Sequence, residues 1–409
     1  MAHKNKILIT AYDVDPYKGS ESGFGWNMIS QASRYNHIIA ITRKNNRSVI
    51  EEFIKQNNIC TDNLVFYYFD LPYYLRFWKV GPRGSTLYFY LWQMFIVLFI
   101  AKEKITFDIA HNLNFSTDSI PSFLWIFNKP FIWGPINHHE KINYEYLRLY
   151  GYKSLIRDRL SWIVKLYFWN IDPFNKISKY KADIVLGGNK SVQKRLGISD
   201  KKFILFPSSG SPYIEHNEYA EKQGFNILVA ARFIPLKGVD IAINAVIKFI
   251  QDNPEVDDVT LTIIGKGPQE ALIKKISKGS RNQSIFNFVS WIKLDELIQY
   301  YRRSSLFLCP SHEGAGMVVV EAMSHSLPIV CFDNYGPGEM VDENSGIKIT
   351  YSTYDKSVND FAEAIKDLYT NNGLMERLSK GSRKRYEECY TWDVKGEHLK
   401  DVYDQINLY

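Results

Sequence analysis

Three short runs in the second half of this 409-residue chain hold side chains suited to binding an anion together with a polyhydroxylated group. In Glu313-Gly-Ala-Gly-Met-Val-Val-Val-Glu321, two carboxylates bracket a glycine-bearing turn and the opening of a helix. Gly314 and Gly316 permit close backbone approach, and the positive end of a helix starting near Met317 and Val318 favours a phosphate. Glu313 at the turn and Glu321 roughly two turns along could accept hydrogen bonds from separate hydroxyl groups, as a hexose and a ribose would offer. In Arg232-Phe-Ile-Pro-Leu-Lys237-Gly238, two cations flank a proline turn. A guanidinium and an ammonium on one loop can neutralise a departing diphosphate, the task a divalent metal performs elsewhere, so no metal is expected. The third run, Gly265-Lys-Gly267-Pro268, is a G-x-G turn of a kind common in βα connections, and its position between the other two gives it weight.

The first half offers weaker candidates. In Lys18-Gly-Ser-Glu-Ser-Gly23-Phe-Gly25-Trp26, the missing side chains at Gly23 and Gly25 would let a loop's backbone meet phosphate oxygens. The run lacks the G-x-G-x-x-G spacing of a dinucleotide site, which argues against a nicotinamide enzyme. His111, and the adjacent His138 and His139, follow strand-like runs, and for each a structural role is about as common as a catalytic one.

These residues need a scaffold, and the surrounding pattern supplies one. Short β-rich runs at 7–11, 37–42, 63–69, 108–112, 130–134 and 182–187 alternate with longer amphipathic stretches, and the rhythm resumes at 226–231, 260–264, 285–289, 306–309 and 328–332. Such alternation predicts α/β architecture with parallel sheets covered by helices on both faces. The polar, turn-rich stretch 208–223 reads as a linker. The expected domains are therefore 1–207 and 224–390, two Rossmann-like doubly wound domains, with a helical tail from 391 to 409. Ligands of such sheets bind beyond the carboxyl ends of the strands, which puts all three runs where chemistry belongs.

Order and spacing of Arg232 with Lys237, the 265–268 turn, and the Glu313 to Glu321 pair followed by Ala322-Met323 and Leu327-Pro-Ile-Val330 resemble the donor-binding half of glycosyltransferase family 4, retaining enzymes of GT-B fold. The resemblance implies two domains facing across a cleft, a UDP- or GDP-linked sugar as donor, and a glycan or lipid-linked hydroxyl as acceptor in polysaccharide biosynthesis. It implies that Arg232 and Lys237 bind the diphosphate, that Glu313 contacts the sugar and that Glu321 holds the ribose. Tyr390-Thr-Trp392 and the following helix are similar to the family's tail, which crosses back to the first domain. The 18–26 run resembles the family's glycine-rich loop. His138 or His139 falls where many members carry a histidine close to the reacting carbon, although the family's Thr-x-His pattern is absent. His111 matches the first histidine of a His-x-His pattern whose second position is Leu113.

Composition bounds the alternatives. With 45% hydrophobic residues the chain can bury more than one core. A net charge of +6 is too modest and dispersed for nucleic acid. The four cysteines are far apart with no C-x-x-C pair, which suits a reducing cytoplasm, and the polar start gives no export signal. The apolar run 87–101 is shorter than the ~20 residues a bilayer crossing needs and is expected to be a buried helix. Arg148, Lys153, Arg157, Arg159 and Lys165, close to Trp162, Tyr167 and Trp169, suggest peripheral contact with the inner face of the cytoplasmic membrane. Two rivals remain: a sugar-nucleotide epimerase of the same fold, and a catalytically silent nucleotide-sugar-binding protein.

Overall fold

The computed structural model describes residues 5–81, 84–215, 224–280 and 283–406. Two compact units emerge from it: the described residues of 1–138, 163–210 and 392–409, and those of 139–162 and 211–391.

In the first unit β1 (Lys6–Ala11), β2 (His37–Thr42), β3 (Leu64–Tyr68), β4 (Ile109–Asn114), β5 (Phe131–Ile136), β6 (Ile184–Gly187) and β7 (Phe203–Leu205) form a parallel sheet of order β3-β2-β1-β4-β5-β6-β7. The chain reverses its direction of travel between β1 and β4, the switch point at which doubly wound sheets open a crevice. β4 and β5 are buried along their whole length, as sheet centres covered on both faces must be. The polar residues of β4 survive burial by being paired. Asn112 donates to Thr10 Oγ1 at 3.2 Å, while Asn114 donates to the carbonyl of Asp13 at 2.8 Å and so pins the loop after β1.

The apolar run near residue 90 forms the helix Ser85–Lys102, whose Tyr88, Phe89, Trp92, Ile96, Val97 and Ile100 are buried in this unit. By length and composition alone it could cross a membrane. One face is buried, fixed where Tyr88 donates to Asp70 at 2.5 Å, while Leu87 and Leu98 on the helix are exposed.

The second unit repeats the architecture with β8 (Phe225–Ala230), β9 (Val259–Ile264), β10 (Phe286–Val289), β11 (Leu306–Cys309), β12 (Ile329–Phe332) and β13 (Gly346–Ile349), in the order β10-β9-β8-β11-β12-β13, all parallel. The switch point lies between β8 and β11, and the loops after these two strands carry Arg232, Lys237 and Glu313.

The division departs from the expected 1–207 in one respect: residues 139–162 pack with the second unit. Ile142, Tyr146 and Leu147 join that unit's apolar core. Tyr146 donates to the Ser352 carbonyl at 2.9 Å, and Tyr150 donates to the buried carboxylate of Asp240, which also accepts from Tyr354 at 2.9 Å. An unpaired Asp240 would be costly, so these tyrosines hold the segment in place. Of the expected linker, residues 216–223 lie outside the described residues, and the chain passes between units at 210–211. The tail helix Trp392–Ile406 packs in the first unit, so close to the helix Ser20–Ser33 that a Cβ on Gly396 would stand 2.6 Å from Gln31 Oε1.

Candidate active site

Three strand-end loops of the second unit are stitched into one ledge. After β8, the Phe233 N–H donates to the Lys266 carbonyl at 3.0 Å, and the Phe233 carbonyl accepts from Gln269 at 3.1 Å. This locks the Arg232 loop to the Gly265–Gly267 turn. A Cβ on Gly265, whose φ is +152°, would lie 1.9 Å from the Ala231 carbonyl oxygen, and one on Gly267 would lie 2.5 Å from that of Phe233. Both glycines are therefore demanded by the neighbouring loop's backbone. On the other side, the His312 N–H donates to the Leu236 carbonyl at 2.8 Å, and Gly238 lies so close to Pro310 that only glycine fits. The loop after β11 is thereby fixed against the Pro235–Lys237 turn.

That stitching brings Lys237 Nζ to 2.5 Å from Glu313 Oε1, with both side chains largely buried. The two residues assigned from the sequence to separate parts of a ligand are partners of one another. The ammonium and carboxylate so paired balance each other's charge. Arg232 is exposed, with no carboxylate partner among the described residues.

Gly316 precedes the helix Met317–Ser324, and the Met317 and Val318 N–H groups open it with no acceptor one turn back. Glu321 lies on the same helix, half-buried, and its Oε2 accepts from the Tyr301 hydroxyl at 2.9 Å. Burial raises the carboxyl's pKa above the usual glutamate range, the Tyr301 bond opposing that shift, and burial also raises the Tyr301 hydroxyl. Tyr301 in turn stacks on His325 at 5.5 Å.

Glu313 and Gly314 line a pocket of about 180 Å3 together with His139, Glu140, Asn334 and Tyr335. Also in its lining, His312 Nδ1 lies 2.8 Å from the Tyr351 hydroxyl, and Tyr351 stacks on Phe332 at 4.3 Å. Burial lowers the His312 pKa to about 3. Asn334 Oδ1 accepts the N–H groups of Gly336 and Gly338 at 3.0 and 3.1 Å, while its amide donates to the Ser311 carbonyl at 2.7 Å. The side chain is thus spent on holding the 334–338 turn against the Glu313 loop.

Sequence reasoning missed His312, Asn334, Tyr335 and Tyr351. The Asn-Tyr-Gly-Pro-Gly run after β12 was the available signal, since a glycine-proline turn at a parallel strand's carboxyl end is positioned to face a ligand.

The first-half candidates are placed differently from expectation. Gly23 and Gly25 are in the opening turns of the helix Ser20–Ser33 rather than in a loop. A Cβ at either would run into the backbone of Lys18 or Asp13, 2.1 and 2.6 Å away, so the 13–18 loop folded over the helix accounts for both glycines. His138 is buried in the first unit, its Nδ1 2.7 Å from Asp118 Oδ2 and its ring 5.1 Å from that of Trp169, and it is not among the pocket's lining residues. His139, one residue on, lines the pocket, as does His312. His111 has both ring nitrogens engaged: Nε2 donates to the Gly134 carbonyl at 2.6 Å, which leaves Nδ1 to accept from Tyr403 at 2.7 Å. Burial lowers its pKa to about 4. It fastens the tail helix. Among the described residues, no group of three His, Cys, Asp or Glu side chains is placed to hold a metal.

Two parallel-sheet Rossmann-like units with this loop set define the GT-B fold, and solved structures share it along nearly the whole chain. Sucrose-phosphate synthase from Thermosynechococcus elongatus superposes with a TM-score of 0.64 at 16% identity, covering 99% of this chain and 100% of its own. Anabaena HepE, solved in complex with UDP-glucose, gives 0.59 at 14% identity, with 98% and 100% covered. The family model for glycosyl transferases group 1 matches residues 214–385, within the second unit. A putative glycosyltransferase of Bacillus subtilis, YtcC, is 27% identical over 233 residues, 53% of this chain and 48% of the relative. The chain matches between about half and two thirds of the length of such curated relatives.

Proposed function

We propose that the protein is a retaining, metal-independent glycosyltransferase that moves a sugar from a nucleoside diphosphate donor to an acceptor hydroxyl. The observation that carries this reading is the convergence, in one unit, of the Lys237–Glu313 pair, the opening of the 317–324 helix and the pocket shared by Glu313 and His139.

Bound there, a donor would place its ribose toward Glu321, its diphosphate between Arg232, Lys237 and the Met317 and Val318 N–H groups, and its sugar in the pocket. The bond from the anomeric carbon to the phosphate oxygen breaks as the acceptor oxygen attacks from the same face. The acceptor's proton passes to the leaving phosphate oxygen, and the two cations stabilise the charge that develops. His139 faces the sugar's side of the pocket and serves to hydrogen-bond a sugar hydroxyl. A surface or lipid-linked glycan at the cytoplasmic membrane is the acceptor class that accords with the resemblance of the 232–330 motifs.

The test is thermal stability against UDP, GDP, ADP and CMP and their sugar conjugates, with and without EDTA, in the natural protein and in Glu321→Ala. A specific ligand present at a hundred times its Kd stabilises by about 2.7 kcal/mol. One nucleotide class should raise the midpoint in EDTA and fail to do so in Glu321→Ala. A midpoint indifferent to every nucleotide, or responsive only with added metal, overturns the assignment.

A further inference from the structure

The first unit has a cavity where glycosyl transfer has no use for one. Open α/β sheets bind their ligands beyond the carboxyl ends of the strands. This cavity lies at the opposite pole, where β5 and β6 begin. Its volume is about 310 Å3, and Trp125, Asn128, Lys129, Lys181, Asp183 and Ile406 line it, all within the first unit. Small-molecule pockets run from roughly 300 to 1,000 Å3, so this one suits a single substituted ring better than a nucleotide sugar.

Local structure fixes the lining. The Leu124–Phe127 turn ends at Asn128, whose φ of +52° is one that asparagine tolerates better than most residues. The Asn128 N–H donates to the Trp125 carbonyl at 3.2 Å, which sets Lys129 at the start of β5. The helix Pro173–Lys181 brings Lys181 to the start of β6. Carbonyls at that helix end are met by Lys202, whose Nζ donates to those of Tyr180 and Ala182 at 3.1 and 2.7 Å. The Lys181 ammonium is not spent there. It and Lys129 are exposed and have no carboxylate partner among the described residues.

Charge and hydrogen bonding select the occupant. Lys129 precedes β5, Lys181 precedes β6, and Lys201 and Lys202 precede β7, so three adjacent strands start beside cations and the pole attracts anions. Asp183 Oδ2 accepts the Phe131 N–H at 2.8 Å, which holds the carboxylate in the cavity wall with Oδ1 left to accept from a ligand. That carboxylate repels a bare anion and rewards one that also carries a hydroxyl donor. Trp125 adds a ring for a sugar's C–H face, and its buried Nε1 has no acceptor among the described residues.

We propose that this cavity binds a sugar monophosphate, with the phosphate between Lys129 and Lys181, a hydroxyl on Asp183 Oδ1 and the ring against Trp125. The site is in a different unit from Arg232, Lys237 and Glu313, and does not depend on the reading of the donor site.

The experiment is calorimetric titration of the full-length protein with glucose 6-phosphate, glucose and inorganic phosphate. Three variants accompany it, Lys129→Ala with Lys181→Ala, Asp183→Asn, and Arg232→Ala, each checked for an unchanged thermal midpoint. Glucose 6-phosphate should bind in the millimolar range or tighter, and at least tenfold more tightly than either glucose or phosphate. The double lysine variant should weaken it at least tenfold, since two charge-assisted hydrogen bonds are lost. Asp183→Asn should narrow its advantage over inorganic phosphate, and Arg232→Ala should bind as the natural protein does. The proposal is overturned by no binding at millimolar concentration, by phosphate binding as tightly as glucose 6-phosphate, or by a folded lysine variant that binds undiminished. An advantage over phosphate unchanged in Asp183→Asn, or binding lost in Arg232→Ala, would overturn it as well.

Discussion

His138 and His139 sit side by side in the chain in different surroundings, one buried against Asp118 and the other lining the pocket, and alanine substitutions test whether their roles differ. His138→Ala leaves the carboxylate of Asp118, itself 2% exposed, without its partner. Breaking a buried pair of this kind costs about 3 kcal/mol, lowering Tm by roughly 5–10 °C for a unit of this size. His139→Ala should leave Tm within about a degree while lowering kcat by tenfold or more, as loss of a hydrogen bond made to the reacting sugar does. Calorimetry and steady-state rates on both variants check this, and the opposite pattern would return the catalytic role to His138. The sequence could not choose between them because a one-residue change of register beyond β5 moves either side chain from core to pocket. Arg232, Lys237, Glu313 and Glu321 were legible because spacing from a strand end locates them within a residue or two. That Lys237 and Glu313 meet each other, or that Tyr301 backs Glu321, depends on which loops touch, and spacing along the chain does not carry that information.

At the scale of elements, the glycines separate conformational need from ligand contact. Gly265→Ala forces a methyl toward the Ala231 carbonyl at a φ that side chains avoid, and should cost on the order of 2–3 kcal/mol in urea unfolding. It should also weaken nucleotide binding by displacing the Arg232 loop. Gly19→Ala, where an added Cβ meets nothing within 4 Å, is the control and should be near neutral. Strand periodicity revealed the central strands of both sheets, since buried parallel strands read as continuous apolar runs. It missed β7 and β13. Phe203–Leu205 is three half-buried residues at an edge, and Gly346–Ile349 alternates isoleucine with glycine and lysine, so neither offers an apolar run long enough to register. In the 18–26 run, Gly23 and Gly25 lie in a helix and each admits the backbone of a neighbouring loop, a need that in sequence looks the same as admitting a phosphate.

For the molecule as a whole, acid stability is set by opposing groups. Burial lowers the pKa of His111 to about 4, of His312 to about 3 and of His325 to about 4. As pH falls below 6.5 the unfolded chain takes up protons at these positions before the folded one does, so stability is lost down to the folded values. Burial raises Glu21, Asp240 and Glu321, which bind protons earlier when folded and push stability the other way in the same acid range. Comparing the natural protein with His111→Gln isolates one contribution. The natural protein should lose about 3 kcal/mol relative to the variant between pH 6.5 and pH 4, measured by urea unfolding across that range. A difference that stays flat would mean that His111 titrates normally.

The domain scheme read from composition treats the chain as if order of synthesis were order of packing. Residues 139–162 break that rule, and nothing in their own composition announces it, because Tyr146 and Tyr150 find their partners some 90 to 210 positions later. The consequence is genetic. A recombination event with one crossover near residue 210 would deliver a second unit whose Asp240 expects a tyrosine encoded by the other parent. Chimaeras of this chain with its relatives should therefore inherit 139–162 together with 211–391, and the two stretches are bound to diversify as a single heritable block even though more than forty codons lie between them.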